Sequence, residues 1–333
     1  MKAPRIFTEH ILGDPMAKKA RTKKSKISVV FSFRNEADVL DELIERVLAM
    51  FKIEGCAHEL IFVNDNSTDR SLEILQDYAG KNRSIKIVNM SRNFGVGECV
   101  LAGMEYASGD AVIYMDTDLQ DPPEVIPELL AKWRDGADLV YTRRLSRGGE
   151  TAFRLAMTRL AYRIINAVSE IDMPVEAGDF RLLSRRCIDE LLEMPEAQPY
   201  LRGLTQWVGF ERAEVQYHRA PRAAGETHFP GVFSKGPVKA FVDGITSFSM
   251  FPLYLVLYAG LLGTALGAGG LLLTALATLF GWSCGVAGWV FFILLMWGGL
   301  MIGMGILGLY VARIYRDTRG RPMYIVKDTV NLD

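Results

Sequence analysis

Apolar positions in the first half of the chain switch repeatedly between two periods. Residues 27–33, Ile-Ser-Val-Val-Phe-Ser-Phe, are nearly continuous in apolar character, as a strand buried on both faces requires. Leu40, Leu43, Ile44, Val47 and Leu48 then recur at helical spacing. Residues 59–65 read as a second strand, and Leu72, Leu75 and Tyr78 mark the helix behind it. Further strands are predicted at 85–89, 111–115 and 139–142, with helices at about 97–107 and 123–134. Such alternation predicts an α/β domain: a mostly parallel sheet with helices on both faces. Ligands of such sheets bind outside the carboxyl ends of the strands, where Asp65 and Asp118 both fall.

After residue 143 the pattern changes. Phe153, Met157, Leu160, Ala161 and Ile164 give an amphipathic helix that carries Arg154, Arg159 and Arg163. A second amphipathic segment spans about 232–247, with Phe233, Val238, Phe241, Val242 and Ile245 apolar and two lysines opposed. A helix lying in the membrane interface and a packed globular helix both fit it. From residue 244 to 312 there is no Asp, Glu, Lys, Arg or His. A charge at the bilayer centre costs about 2.5–3.5 kcal/mol, so a charge-free stretch of this length predicts membrane spans. We place two, at about 251–280 and 289–310, joined by a turn at 281–285.

Charge orients this pair. Lys235 and Lys239 precede the first span, Arg313, Arg316, Arg319 and Arg321 follow the second, and the turn carries none. The positive-inside tendency then keeps both termini and the α/β domain cytoplasmic, in a multi-pass protein of the cytoplasmic membrane. Residues 1–26 lack the apolar core of a signal peptide and include a basic run that reads as a solvated arm or an attraction to anionic lipid. The expected organisation is therefore an arm at 1–26, a cytoplasmic domain at 27–231, an amphipathic helix at 232–248, two transmembrane helices at 249–312 and a cytoplasmic tail at 313–333. A net charge of −1 gives nucleic acid no electrostatic footprint. Four cysteines without Cys-x-x-Cys spacing, and four histidines without ligand spacing, argue against a zinc site or a disulfide framework.

Candidate chemistry begins at Asp116-Thr117-Asp118-Leu119-Gln120, directly after the apolar run 111–115. If the strand continues through it, Asp116 and Asp118 point the same way and converge on one hard cation, Mg2+ or Mn2+. Such a cation would neutralise a diphosphate and help it leave.

Five segments together carry a resemblance: Phe33-Arg34-Asn35-Glu36, Asn64-Asp65-Asn66-Ser67-Thr68-Asp69, Ser91-Arg92-Asn93-Phe94-Gly95, residues 116–123, and Ala177-Gly178-Asp179-Phe180-Arg181-Leu182. In this order they resemble glycosyltransferase family 2, and within it the polyprenyl-phosphate glycosyltransferases. The resemblance implies a GT-A type fold that transfers a sugar from a nucleotide-sugar donor to a polyprenyl phosphate such as undecaprenyl phosphate, inverting the anomeric centre. It also implies that Glu36 and Asp65 contact the nucleoside, that Asp116 and Asp118 hold diphosphate and metal with Gln120 beside them, and that Asp179 stands where a catalytic base is proposed. Arg143, Arg154 and Thr158 resemble the group that grips the acceptor phosphate, and residues 222–227 resemble a loop near the acceptor. UDP-glucose is the donor implied by closeness to the bacterial glucosyl group, and a tetramer is a further implication; a flippase is the kind of partner that a membrane adaptor of this fold would bind. Ser32 stands where the family usually has Pro, and Asn64 where it often has Asp.

The implied chemistry is consistent from below. A phosphate monoester has a second pKa of about 6, so the acceptor is mostly dianionic at neutral pH and needs little help from a base. The larger tasks are positioning and stabilising charge on the departing diphosphate. Two other classes remain in view. A processive polysaccharide synthase would usually carry Gln-x-x-Arg-Trp, which is absent, and a non-catalytic membrane adaptor would have no need of the carboxylates.

Overall fold

The computed structural model describes residues 25–147, 152–171, 174, 177–194, 196, 199–219, 235–280 and 286–332. Most of the basic arm, the loop at 222–227 and the turn at 281–285 lie outside them. Eight strands form one sheet: β1 (Ile27–Phe33), β2 (His58–Asn64), β3 (Ile85–Met90), β4 (Ala111–Asp116), β5 (Leu139–Arg147), β6 (Ala177–Ser184), β7 (Arg212–Arg219) and β8 (Val326–Val330). Their order is β7-β5-β6-β4-β1-β2-β3-β8. β4, β1, β2 and β3 are mutually parallel, β6 lies antiparallel between β4 and β5, β7 is parallel to β5, and β8 closes the β3 edge antiparallel. The sheet is thus mostly parallel, with two reversed strands.

The lack of alternation in β1 has a direct cause. Val29 and Phe31 pack into one core layer, with α1 (Ala37–Glu54), α2 (Ser71–Lys81) and α4 (Ile126–Arg134). Val30, on the opposite side, joins α3 (Val96–Tyr106), α6 (Arg185–Leu192) and α7 (Leu201–Trp207). Both faces of the sheet are covered, so each face demands apolar residues.

The segment between β5 and β6 holds α5 (Ala152–Val168), and α8 (Lys235–Phe248) packs against it. α8 is also tied to α7: a Cβ on Gly203 would lie 2.1 Å from the Phe248 ring, so only glycine admits that ring. The packed reading of this amphipathic helix is therefore realised at its carboxyl end.

Two long apolar helices follow, α9 (Phe251–Leu279) and α10 (Val286–Thr318), and they pair. The chain turns by 82° between Phe241–Phe248 and Phe251–Gly263. Among the described residues, one stretch, Met296–Thr318, is long and apolar enough to cross a bilayer, and a second qualifies only if the bent pair is one span. The two-span expectation is neither met nor overturned by this, and the second crossing is a proposal. α10 also runs past the expected end at residue 310, keeping Arg313 and Arg316 helical.

The tail expected at 313–333 is not free. Its residues 326–330 are β8, built into the sheet. Tyr310 donates to the Ser249 carbonyl at 2.6 Å, and Arg313 reaches Ser247 Oγ at 2.6 Å and Glu196 at 3.0 Å. Both ends of the helical pair are thus rooted in the α/β domain. Whatever the pair enters, the chain leaves it on the side from which it came.

At the amino ends of the strands a buried carboxylate, Glu59, accepts from Ser28 Oγ at 2.5 Å and from the Ser108 N–H at 2.7 Å, and pairs with Lys26 at 2.7 Å and Lys86 at 2.8 Å. Burial alone would raise its pKa; the two ammonium groups, Ser28 and Ser108 reverse this and hold it at about 2 against an ordinary 4.5. The folded-state value is depressed, so the stabilisation is complete above the ordinary value and is lost as pH falls towards 2. Glu59→Gln is expected to lower stability by about 2 kcal/mol at pH 7. In thermal unfolding the gap from the wild type should narrow between pH 4.5 and 2.

Candidate active site

The carboxyl ends of β1 and β2 open into two loops tied together by their own side chains. Asn35 and Asn66 sit in the left-handed region, at φ 57° and 58°, which asparagine tolerates better than most residues. Asn35 Oδ1 accepts the Thr68 N–H at 2.8 Å, and Ser67 Oγ accepts the Asn35 N–H at 3.1 Å. Asp69 accepts from the backbone of Ala37 at 3.2 Å and of Ser71 at 3.0 Å. Glu36 precedes α1, half-buried, with its N–H on Ser71 Oγ at 2.9 Å.

Asp65, just beyond β2, is buried and spends both oxygens on the loop after β3. It accepts from Asn93 Nδ2 at 2.6 Å, the Phe94 N–H at 2.7 Å and the Gly95 N–H at 3.1 Å. Gly95 has φ 121°, a conformation that favours glycine. The first thing Asp65 does is therefore to shape the Ser91–Gly95 loop.

β4 ends at Asp116, so Asp118 is not on the strand. The expected same-face geometry of residues two apart is corrected: a turn brings the pair together. Leu119 adopts φ 58°, and Asp118 Oδ1 accepts the Gln120 N–H at 3.1 Å. Gln120 is half-buried at the turn. Asp121 is wholly buried and held by three groups from the β5–β7 side: the Tyr217 hydroxyl, Arg144 at 3.4 Å and Arg219 at 3.5 Å. Arg144 Nε also donates to the Tyr217 hydroxyl at 3.0 Å.

Asp179 arrives because β6 runs backwards. Its amino end lies beside the carboxyl end of β4, two residues beyond the Tyr114–Arg181 pair. Arg202 of α7 grips the carboxylate with Nε at 2.7 Å and with its second nitrogen, while its remaining nitrogen donates to the Tyr162 hydroxyl at 2.9 Å. Burial would raise the Asp179 carboxyl. Arg202, backed by Arg181 and Arg144, more than reverses that and holds it well below the usual carboxylate range. Asp116 goes the other way: burial, then the charges of Asp179, Asp121 and Asp118, push it up to about 7 against the pull of Arg144.

The structure thus gathers Asp116, Asp118 and Asp179 with Asp121, Arg144, Arg202 and Tyr217. Arg143 does not belong to the cluster: its side chain is 46% exposed and faces Glu214 at 3.7 Å. The next residue, Arg144, takes the inward position, which is the correction to the expected acceptor group. Arg154 and Thr158 lie on α5 two turns and one turn before Tyr162, so all three positions share the helix face from which Tyr162 reaches Arg202. The side chain of Arg154 is outside the described residues. Arg144 sat beside a residue already singled out, whereas Arg202 had no local signal at all.

Asp121 and Asp179 are matched by arginines; Asp116 and Asp118 form no ion pair among the described residues. Burial first, and then the charges of the neighbouring carboxylates, hold the Asp116 carboxyl above its ordinary range. Two such carboxylates suit Mg2+ or Mn2+, whose shell phosphate oxygens and water complete. No group of three acidic, His or Cys residues that could hold a metal occurs among the described residues, so the protein would supply only part of that shell.

Residues 28–192 match the model of glycosyl transferase family 2. An uncharacterized glycosyltransferase of Bacillus subtilis (strain 168), YkcC, is 40% identical over 309 residues, covering 92% of this chain and 94% of its own. The chain belongs to glycosyl transferase family 2. A prophage bactoprenol glucosyl transferase homolog of Escherichia coli (strain K12) is 36% identical over 307 residues, covering 91% and 98% of the two chains. The bactoprenol glucosyl transferase of Shigella phage SfV is 34% identical over 305 residues, covering 91% and 98%. The family carries the GT-A type α/β fold seen here, and the chain is a glycosyltransferase.

The two neighbouring arginines separate under mutation. Arg144→Lys keeps the charge but loses the planar fork, and is expected to lower the initial rate of sugar transfer about tenfold or more. Arg143→Ala is expected to change it by less than about threefold. Initial rates and thermal unfolding of both variants check this.

Proposed function

We propose that the protein transfers a sugar, glucose first among candidates, from a UDP-sugar to a polyprenyl phosphate such as undecaprenyl phosphate, at the cytoplasmic face of the membrane. One observation carries the reading: an acidic strand end, with two carboxylates that form no ion pair among the described residues, lies beside half-buried arginines, on a domain from which a pair of apolar helices leaves and to which it returns. Relatives named bactoprenol glucosyl transferase support the acceptor and the sugar. Mannose or another sugar, from a GDP- or UDP-linked donor, is the second choice for the same lipid class.

Glu36 and the loops closed by Asn35, Ser67 and Asp65 would form the nucleoside side of the site. Asp116 and Asp118, with Gln120 beside them, would hold a divalent cation on the donor diphosphate. That cation supplies charge neutralisation to the leaving group. On the other side Arg144, with the α5 face of Arg154 and Thr158, would offset repulsion between an anionic acceptor and an anionic donor. A phosphate oxygen of the acceptor attacks the anomeric carbon, and the new C–O bond forms as the bond to the diphosphate breaks. The electron pair leaves with the nucleoside diphosphate, and the configuration inverts.

Asp179 stands where a base is expected, yet Arg202 holds it ionised and doubly hydrogen-bonded. A carboxylate kept that acidic is a weak base, and a dianionic phosphate needs none. We assign Asp179 the task of fixing Arg202 and ordering the acceptor side. Membrane insertion of α9 and α10, with catalytic domain and termini cytoplasmic, would bring a soluble donor and a bilayer-bound acceptor to one pocket. Tetramer formation, by family resemblance, and a flippase partner stay proposals.

Membranes containing the protein are expected to move labelled glucose from UDP-glucose onto undecaprenyl phosphate, with the lipid product identified by mass spectrometry. Asp118→Ala should lower the rate at least about 100-fold while the protein still folds and inserts. Undiminished transfer by that variant at limiting metal contradicts the assignment, and a polymeric product points to a processive synthase.

A further inference from the structure

A chain of hydrogen bonds crosses the carboxyl ends of the strands, starting on the strand that returns from the helical pair. Asn89 of β3 donates its side-chain amide to the Asp328 carboxylate of β8. Asn89 Oδ1 accepts from Asn64 Nδ2 of β2 at 3.1 Å. Asn64 Oδ1 accepts the Ser67 N–H at 2.8 Å, and the Ser67 hydroxyl accepts the Asn35 N–H at 3.1 Å. Asn64 and Asn89 are both 4% exposed, so water cannot readily come between them, while Asp328 itself is exposed at the sheet edge.

The direction of this chain is not arbitrary. An asparagine side chain has one accepting and one donating end, and a carboxylate only accepts. Facing Asp328, Asn89 must turn its NH2 outward and its oxygen towards Asn64. Asn64 must then turn its NH2 to Asn89 and its oxygen to the Ser67 N–H. Reversing either amide would set donor against donor inside the protein, at a cost of about 1–3 kcal/mol for each unsatisfied group. One acceptor-only residue at the sheet edge thereby fixes two buried amides and, through them, the loops after β2 and β1.

A second contact from the same strand reinforces the first. The Ile325 carbonyl accepts the Ser91 N–H at 2.9 Å, at the start of the loop whose Asn93, Phe94 and Gly95 hold Asp65. Farther along, Asn331 Nδ2 donates to the carbonyls of Ala79 at 2.9 Å and Ile85 at 2.8 Å, pinning the end of the segment. The strand thus supports both walls of the cleft between the loops after β1–β2 and the loop after β3.

We propose that Asp328 is a positioning residue for the nucleoside diphosphate donor, orienting Asn89 and Asn64 so that the loops at Asn35–Glu36 and Ser67–Asp69 are preformed. It also ties donor binding to the docking of the helical pair, because Asp328 is reached only after the chain has come back from α10. The proposal rests on the glycosyl-transfer reading in taking those loops as the donor's side of the site.

The test uses the full chain in detergent and two variants. Asp328→Leu removes the acceptor; Asp328→Asn keeps an acceptor oxygen that can meet Asn89. Uridine diphosphate affinity is measured by calorimetry with Mn2+, donor KM and kcat by transfer assay, and amide hydrogen exchange over residues 64–71. Asp328→Leu is expected to weaken uridine diphosphate binding and raise donor KM about tenfold, with kcat within about twofold, and to speed exchange at 64–71. Asp328→Asn should stay within about threefold of the wild type in both constants, with exchange at 64–71 unchanged. A lower melting temperature for Asp328→Leu with donor KM and exchange at 64–71 unchanged would overturn the proposal, because Asp328 would then be structural only. Should the wild type bind no uridine diphosphate, the donor reading fails on its own. The exchange arm still decides: protection lost in Asp328→Leu and kept in Asp328→Asn upholds the orienting role, and equal protection in both removes it.

Discussion

Carboxylates crowded at the end of β4 set the constraint that the rest of the site answers. Asp116, Asp118, Asp121 and Asp179 lie close enough to disturb one another, and burial removes the water that would screen them. Two are neutralised from within the chain, Asp121 by Arg144 and Arg219, and Asp179 by Arg202. The remaining pair, Asp116 and Asp118, has no ion-pair partner among the described residues, and we propose that a cation arriving with the donor completes it. On that proposal the arginines of β5, β7 and α7 serve the acceptor and the two carboxylates serve the diphosphate. A site with every acid paired internally would have no reason to bind a metal, and one with none paired would oppose its own folding.

The antiparallel strand β6 makes this arrangement possible. Were it parallel to β4, Asp179 would lie at the opposite end of the sheet, some 20 Å away at about 3.3 Å per residue. Reversed, it carries Asp179 beside Asp116 and buries Arg181 behind them, where Arg181 bonds the Gly178 and Arg202 carbonyls. The position of Arg202 follows, since its backbone carbonyl and its guanidinium both answer to β6. The acid and its arginine are thus held from two directions, which is how a charge pair gains the rigidity that transfer chemistry needs.

Strands buried on both faces were the most legible part of the chain. β1 occupies the residues expected, β3 and β4 each run one residue longer, and β2 is shifted by one residue, because continuous apolar runs leave little choice. β6, β7 and β8 were missed for a common reason. β6 carries Gly178, Asp179 and Arg181, β7 carries Arg212, Glu214 and His218, and β8 carries Lys327 and Asp328; site strands and edge strands keep polar residues that hide their period. At the site, the acids were legible through their ordered motifs, but their partners were not. Arg202 and Tyr217 come from distant segments, and only the reversed course of β6 and the pairing of β7 with β5 bring them in. The Asp116–Asp118 rule failed locally because the strand stops at Asp116 and Leu119 turns the chain.

The return of the chain to β8 ties the helical pair to the fold, since the sheet is complete only when the pair has come back. The central claim is that Asp116 and Asp118 form an unfinished cation site completed by the donor's diphosphate. The most direct measurement is calorimetric titration of uridine diphosphate into the wild type and into Asp118→Asn, with Mn2+ and with chelator. The expected result is binding by the wild type that weakens at least about tenfold on chelation, and weak binding by the variant that chelation no longer changes. Tight binding by the wild type in chelator, equal to that in Mn2+, would contradict the claim.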